Sequence, residues 1–183
     1  LDSYEGERVL CAEANVDPLP RMADWVRKDE MHQAFNFSYL YCNWDASALR
    51  NVITESLAAF DSVGAPTTWV LSNHDKVRHA SRFGTDHRAD GIGPDDVQPD
   101  AALGLSRARA ATLCMLGLPG GAYLYQGEEL GLPDNTMIAP EFRQDPSFFR
   151  SGGKRIGRDG CRVHLPWDKS SASFGFSSTG SSW

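Results

Sequence analysis

The sequence predicts an α/β fold of parallel strands joined by helical crossovers. Three observations carry this. Short runs of β-forming residues alternate with helical patterns as far as Leu132. The strand runs end in polar residues, several of them acidic. Asp residues stand where helices should start, and Gly or Pro stands where they should stop. Such alternation is the signature of βα units feeding one parallel sheet, whose carboxyl ends collect the polar side chains.

The elements follow in order. Arg8-Val9-Leu10-Cys11-Ala12 reads as a short buried strand ending in Glu13. Asp17-Pro18 supplies a helix start, with Asp17 as N-cap and Pro18 at the first helical position, and Leu19, Met22, Ala23 and Val26 follow at helical spacing. Gln33 to Tyr39 alternates weakly and reads as a further strand. Asp45 caps a helix with Leu49, Val52, Ile53, Leu57 and Phe60 on one face, and Gly64-Ala65-Pro66 ends it. Thr67-Thr68-Trp69-Val70-Leu71 then drives into Ser72-Asn73-His74-Asp75, which is poor strand material. The bland reading of Asn73-His74-Asp75 is a turn that bonds only its own backbone. Of the basic residues that follow, Arg78 is taken as one that faces a polar substrate. Residues 85 to 99 read as a loop rich in Gly, Asp and Pro. Asp100 opens a helix whose apolar stripe is Leu105, Ala108, Thr112, Met115 and Leu116, and Gly121 to Tyr125 is the last strand.

The rhythm breaks beyond Leu132. We expect residues 1–132 to form the α/β body, 133–168 an irregular extension completing a site, and 169–183 a Ser-rich tail of weak order. The formal net charge of −6 gives no footing for a nucleic-acid partner, and no apolar run approaches the roughly 20 residues of a membrane helix. No signal peptide is visible; the chain starts with Leu rather than Met and reads as entered part-way through. Four cysteines without C-x-x-C spacing suggest a reducing, cytoplasmic setting, with Cys11 and Cys114 as small core residues.

Three blocks in order, Ser72-Asn73-His74-Asp75, Gly120 to Gly131 and Arg158-Asp159-Gly160-Cys161-Arg162, with Glu13 upstream, resemble the α-amylase family of glycoside hydrolases, in its bacterial α-glucosidase and oligo-1,6-glucosidase branch. The resemblance runs from about residue 8 to residue 168. It implies an eight-stranded (β/α) barrel of which this chain supplies the C-terminal half, strands five to eight. It implies Glu13 as acid/base, Asp75 as the stabilising acid, His74 as a hydrogen-bonding partner of sugar hydroxyls, and Arg162 as the residue closing the subsite, with Arg158 the second choice. The nucleophilic Asp of the family has no counterpart here, so the chain alone should be inactive. The substrate implied is an α-glucoside oligosaccharide. No metal or cofactor is implied, since the calcium that family members often hold lies in loops this chain lacks. A glucosyl transferase or isomerase such as trehalose synthase, and a non-catalytic barrel scaffold, are the competing readings. Half a barrel has open edges, so self-association through the strand at 8–12 or at 121–125 is expected.

Overall fold

The computed structural model describes residues 3–86 and 90–181. Leu1 and Asp2, residues 87–89 of the loop expected at 85–99, and Ser182 and Trp183 of the tail lie outside the described residues. The chain groups into two compact units, one made of residues up to Leu71 with Ala111–Tyr123, the other of Ser72–Ala110 with the residues from Leu124 onward.

Among the described residues, the four strands all lie in the first unit: β1 (Cys11–Ala12), β2 (Gln33–Ala34), β3 (Thr68–Val70) and β4 (Gly121–Tyr123). Every pairing is parallel. Cys11 lies opposite Gln33 and Ala12 opposite Ala34; Phe35 carries β2 onward into a bridge with Thr68; Trp69 lies opposite Ala122 and Val70 opposite Tyr123. Spatial order is therefore chain order, with none of the strand-order reversal that marks a doubly wound sheet. Gly120 opens β4 at φ +113°, and a Cβ there would come within 2.2 Å of the Thr67 carbonyl oxygen, so the close approach of the two chains requires glycine.

The helices between β1 and β3 are α1 (Leu19–Ala23), which tightens into a 3₁₀ turn over Asp24–Val26, then α2 (Phe37–Leu40) and α3 (Ala46–Asp61). Leu19, Met22, Ala23 and Val26 pack with Ala12, Ala34, Ala59 and Phe60 into one apolar core. Trp69 is fully buried, its indole N–H donating to the Pro119 carbonyl at 2.8 Å and its ring edge-on to Tyr39. Asp45 caps α3 as predicted, accepting the Ala48 N–H at 2.8 Å.

Several sequence expectations shift in register. The helix after Asp17 begins one residue later, with Pro18 as N-cap and no side-chain cap bond. The strand expected over Arg8–Ala12 keeps only its last two residues, because Val9 and Leu10 are exposed. The alternation after Gln33 ends at Asn36, whose side chain accepts the Tyr39 N–H and starts α2; local capping outcompetes strand pairing. On α3 the fully buried positions are Ser56, Ala59 and Phe60, with Ser56 admitted because its hydroxyl donates to the Val52 carbonyl and accepts from Asn36.

The second unit carries α4 (His79–Arg82), the start of α5 (Ala101–Leu116) and α6 (Pro146–Arg150), joined by long irregular segments with 3₁₀ turns at Glu128–Leu130, Pro140–Phe142, Asp159–Cys161 and Ala172–Gly175. Asp100 accepts the Leu103 N–H at the start of α5. The core stripe of α5 is Gly104, Ala108, Ala111 and Met115; Leu105, Leu113 and Leu116 are exposed, as is Cys114. Small residues line the buried face because they let the backbone approach closely, which hydrophobicity alone does not reveal.

Candidate active site

Asn73-His74-Asp75 follows β3 within three to five residues, in a turn that Asp75 closes by donating its N–H to Asn73 Oδ1 at 2.9 Å. The local turn and a reactive presentation therefore coexist. The Asp75 carboxylate is half-buried, and three cationic or potentially cationic groups converge on its Oδ1. Arg158 Nη1 and Arg162 Nη2 each donate at 2.8 Å, and His74 Nε2 lies at 3.6 Å. Burial alone would raise the Asp75 carboxyl, but the hydrogen bonds from Arg158 and Arg162 and the charge of His74 together hold it below the ordinary aspartate range. Asp75 is thus a fixed carboxylate.

The two arginines are themselves anchored. Arg162 Nε donates to the His74 carbonyl at 2.7 Å, so one guanidinium clasps both His74 and Asp75. Arg158 is held by Asp145, whose Oδ2 accepts both the Arg158 backbone N–H and its Nε–H at 2.7 Å. Asp145 is buried and also caps α6 through the Ser147 N–H and hydroxyl. Burial would raise its carboxyl, yet the bonds from Arg158 and Ser147 press it well below the usual carboxylate range. Gly157, at φ +76°, lets the chain pass here: a Cβ would meet Ser147 Oγ at 2.8 Å and Asp145 Oδ2 at 2.9 Å. The paired carboxylates keep the Arg158 guanidinium protonated.

Arg78 is almost fully buried. Its Nε donates to the Cys161 carbonyl at 3.0 Å, its Nη1 to the Gln126 carbonyl at 2.9 Å, and its guanidinium stacks 4.5 Å from the Tyr125 ring. Its backbone N–H donates to Asp134 at 2.7 Å. Burial pushes the Asp134 carboxyl up to about 6, against the lowering pull of the Arg78 N–H and charge. The buried guanidinium thus joins the segments at 126 and 161, and the Arg78 backbone N–H adds Asp134. Glu13 belongs to the first unit, one residue past the end of β1, and is exposed rather than buried.

The structure brings His74, Asp75 and Arg162 together and adds Arg158 as an equal partner. Position within the block ranks Arg162 first and Arg158 second; the four-residue spacing of the two arginines was the available signal for both. Asp145 was not singled out by the sequence, although Asp145-Pro146 is a recognisable helix start.

The chain matches the model of the alpha amylase catalytic domain over residues 1–183. This chain belongs to the alpha-amylase family. It is 31% identical over 155 residues to an alpha-glucosidase of Apis mellifera, an alignment covering 81% of this chain and 23% of the bee enzyme. It is 36% identical over 100 residues to a probable alpha-glucosidase of Rhizobium meliloti strain 1021, covering 55% of this chain and 15% of that protein. The crystal structure of the alpha-glucosyl transfer enzyme XgtA superposes with a TM-score of 0.75 at 32% identity, covering 96% of this chain and 29% of the enzyme. The chain therefore spans less than a third of the length of these relatives. Membership fixes the lineage as glycoside hydrolase and the fold as the family's TIM barrel. No helix among the described residues is long and apolar enough to cross a membrane.

Proposed function

We propose that this chain is the part of a retaining α-glucosidase that carries the acid/base and the charge-stabilising acid, corresponding to strands five to eight of the alpha-amylase-family barrel. On this reading residues 1–132 belong to the barrel and 133–168 complete its substrate site. The observation that carries the reading is the setting of Asp75: an ionised carboxylate just beyond a parallel strand, with Oδ1 taken by two guanidinium groups and Oδ2 outside those bonds. Glycosidic cleavage passes through an oxocarbenium-like, positively charged transition state, which a fixed carboxylate favours electrostatically. Glu13, accessible at the end of its strand, delivers a proton to the leaving oxygen and then takes one from water. His74 bonds sugar hydroxyls, and Arg162 borders the same ring. Arg78 takes a positioning role in place of the direct sugar contact expected from its place after Asp75: its guanidinium is committed to two carbonyls.

The chain contains no counterpart of the family's nucleophile block and turns over no glucoside by itself. The test uses a longer chain that supplies the nucleophile. There Glu13→Gln lowers kcat/KM for maltose by about 10²–10⁴-fold, while kcat/KM for an aryl glucoside whose leaving group needs no proton falls far less; kcat falls for both, because the second step still needs the base. Asp75→Asn lowers turnover of both substrates. Undiminished maltose hydrolysis by Glu13→Gln would sink the assignment.

The likeness to an alpha-glucosyl transfer enzyme favours a second reading, in which a sugar or other hydroxyl acceptor replaces water in the second step. Product analysis with maltose separates the two: free glucose alone supports hydrolysis, and new oligosaccharides support transfer. Retention of both acids argues against a scaffold role. We further propose self-association of the isolated chain through the edges at β1 and β4, where Val9 and Tyr123 are exposed. A single monomeric boundary in sedimentation, together with a sharp melting transition, counts against it.

A further inference from the structure

We infer that Asp145 is a positioning residue for the acid at Asp75, acting through Arg158. The inference rests on the reading of Asp75 as the stabilising acid for its meaning in the reaction, but not for its physics.

Asp145 is buried, and its two oxygens do separate tasks. Oδ1 accepts the Ser147 N–H and hydroxyl, both at 2.8 Å, which fixes the carboxylate at the start of α6. Oδ2 accepts the Arg158 N–H and Nε–H, both at 2.7 Å. A guanidinium is planar, so gripping Nε on one side sets the direction in which Nη1 points on the other. That direction leads to Asp75 Oδ1 at 2.8 Å. Helix capping alone explains Oδ1 but not a second oxygen that holds both the backbone and the side chain of one arginine. Nor does it explain a glycine at 157, where a side chain would strike this same carboxylate. Arg158 is partly exposed, and without Asp145 a long side chain in that setting would sample many rotamers. Asp145 therefore removes that freedom, so that Arg158 meets Asp75 in a fixed geometry. The groups facing the Asp75 carboxylate from its own unit include His74, Arg158 and Arg162, with the buried Cys161 thiol near enough to feel its charge; of the three cationic or potentially cationic groups, only Arg158 is steered by a second carboxylate.

The test is a carboxyl ¹³C NMR titration of the chain, with the Asp75 resonance assigned by its loss in Asp75→Asn. Asp145→Asn should move the Asp75 titration midpoint upward, because Arg158 no longer spends its time on Oδ1. Asp45→Ala, which weakens a helix cap in the first unit, should leave the midpoint where it is in the unaltered chain. A folded Asp145→Asn variant with an unmoved midpoint overturns the inference. If Asp145→Asn does not fold, Arg158→Lys reads the same link from its other end. Lysine keeps the charge but cannot bond two carboxylates with a rigid fork, so the midpoint should again rise, and an unmoved midpoint overturns the inference. Turnover does not enter the measurement. Its failure therefore leaves the glucosidase reading standing, and failure of the Glu13→Gln test leaves the titration unaffected.

Discussion

The two units are stabilised by different physics. In the first, the buried side chains are overwhelmingly apolar, led by Trp69, Phe60, Met22 and Leu40, and the buried polar groups are neutral: Asn36, Ser56, Thr67 and Thr68. In the second, the buried set includes Arg78, Glu128, Asp134, Arg143 and Asp145, together with His79. Among the described residues, every buried formal charge lies in the second unit. A parallel sheet satisfies its backbone through its own ladder, so its core needs only shape and apolar area. Long irregular segments have no ladder. Their carbonyls must find donors elsewhere, and buried guanidinium groups supply several donors each. Arg143 repeats the device on a small scale, donating to the Ile156 carbonyl while lying over the Phe148 ring.

The largest expected effects set the units against each other directly. Phe60→Ala leaves a cavity in the apolar core and should cost about 3–5 kcal/mol. Arg78→Met strips donors from the Gln126 and Cys161 carbonyls and leaves Asp134 without its nearby cation, and should also cost about 3–5 kcal/mol. Denaturant titrations at several pH values separate the two. The Phe60→Ala loss should be nearly constant with pH. The Arg78→Met loss should shrink below about pH 6, where Asp134 becomes neutral. Equal pH behaviour of the two variants would erase the distinction between the units.

Asp134 itself gives the next effect. Its folded carboxyl titrates near 6, above the ordinary aspartate value of 3.8, so the folded chain binds the proton more tightly than the unfolded one. Its contribution to stability is therefore greatest below pH 4 and is lost as pH rises from about 4 to about 6, on the order of 3 kcal/mol in all. Asp145 runs the other way: its lowered carboxyl stabilises the fold above the ordinary aspartate range and is lost on acidification. Asp134→Asn should remove the decline between pH 4 and 6 and keep the acid-side loss. A decline that survives in Asp134→Asn would assign it to another group.

These contrasts explain how much could be read from the sequence. The first unit was legible because its forces are local or periodic. Thr68-Trp69-Val70 is strand-forming in itself, and Asp45 sits one residue before a helical pattern. What failed there failed by register: the strand at Arg8–Ala12 shortened once Val9 and Leu10 stayed exposed. Along α5, whose residues are shared between the units, the stripe kept Ala108 and Met115 but took in Gly104 and Ala111 in place of Leu105 and Leu116, because small residues allow close packing. In the second unit the Asn73-His74-Asp75 motif and Arg162 were legible from the resemblance. The Arg158–Asp145 grip and the Arg78 hub were not, because they join residues 13 and up to 83 positions apart that obey no period. A charged residue in a loop reads as solvated until its partner is known.

The smaller predictions test the local forces. Asp45→Ala should cost about 1 kcal/mol, since one N–H at the start of α3 loses its acceptor. A loss several times larger would mean that α3 depends on its cap more than on Phe60 and Ala59, against the packing argument. The smallest effect should come from Arg27, which lies within 3.4–3.8 Å of Asp24, Asp29 and Glu30 at an exposed position. Three acidic neighbours look like a network, yet the Arg27 side chain remains half exposed. Water and salt screen each pair, and holding four mobile side chains together costs entropy. Arg27→Ala should therefore change the unfolding free energy by less than about 1 kcal/mol, shrinking further as salt is raised. Arg158 also pairs with two carboxylates, but Asp145 is buried and immobile, so Arg158→Ala should cost more than Arg27→Ala under the same conditions. The number of ion pairs does not set that order; the burial of the partner does.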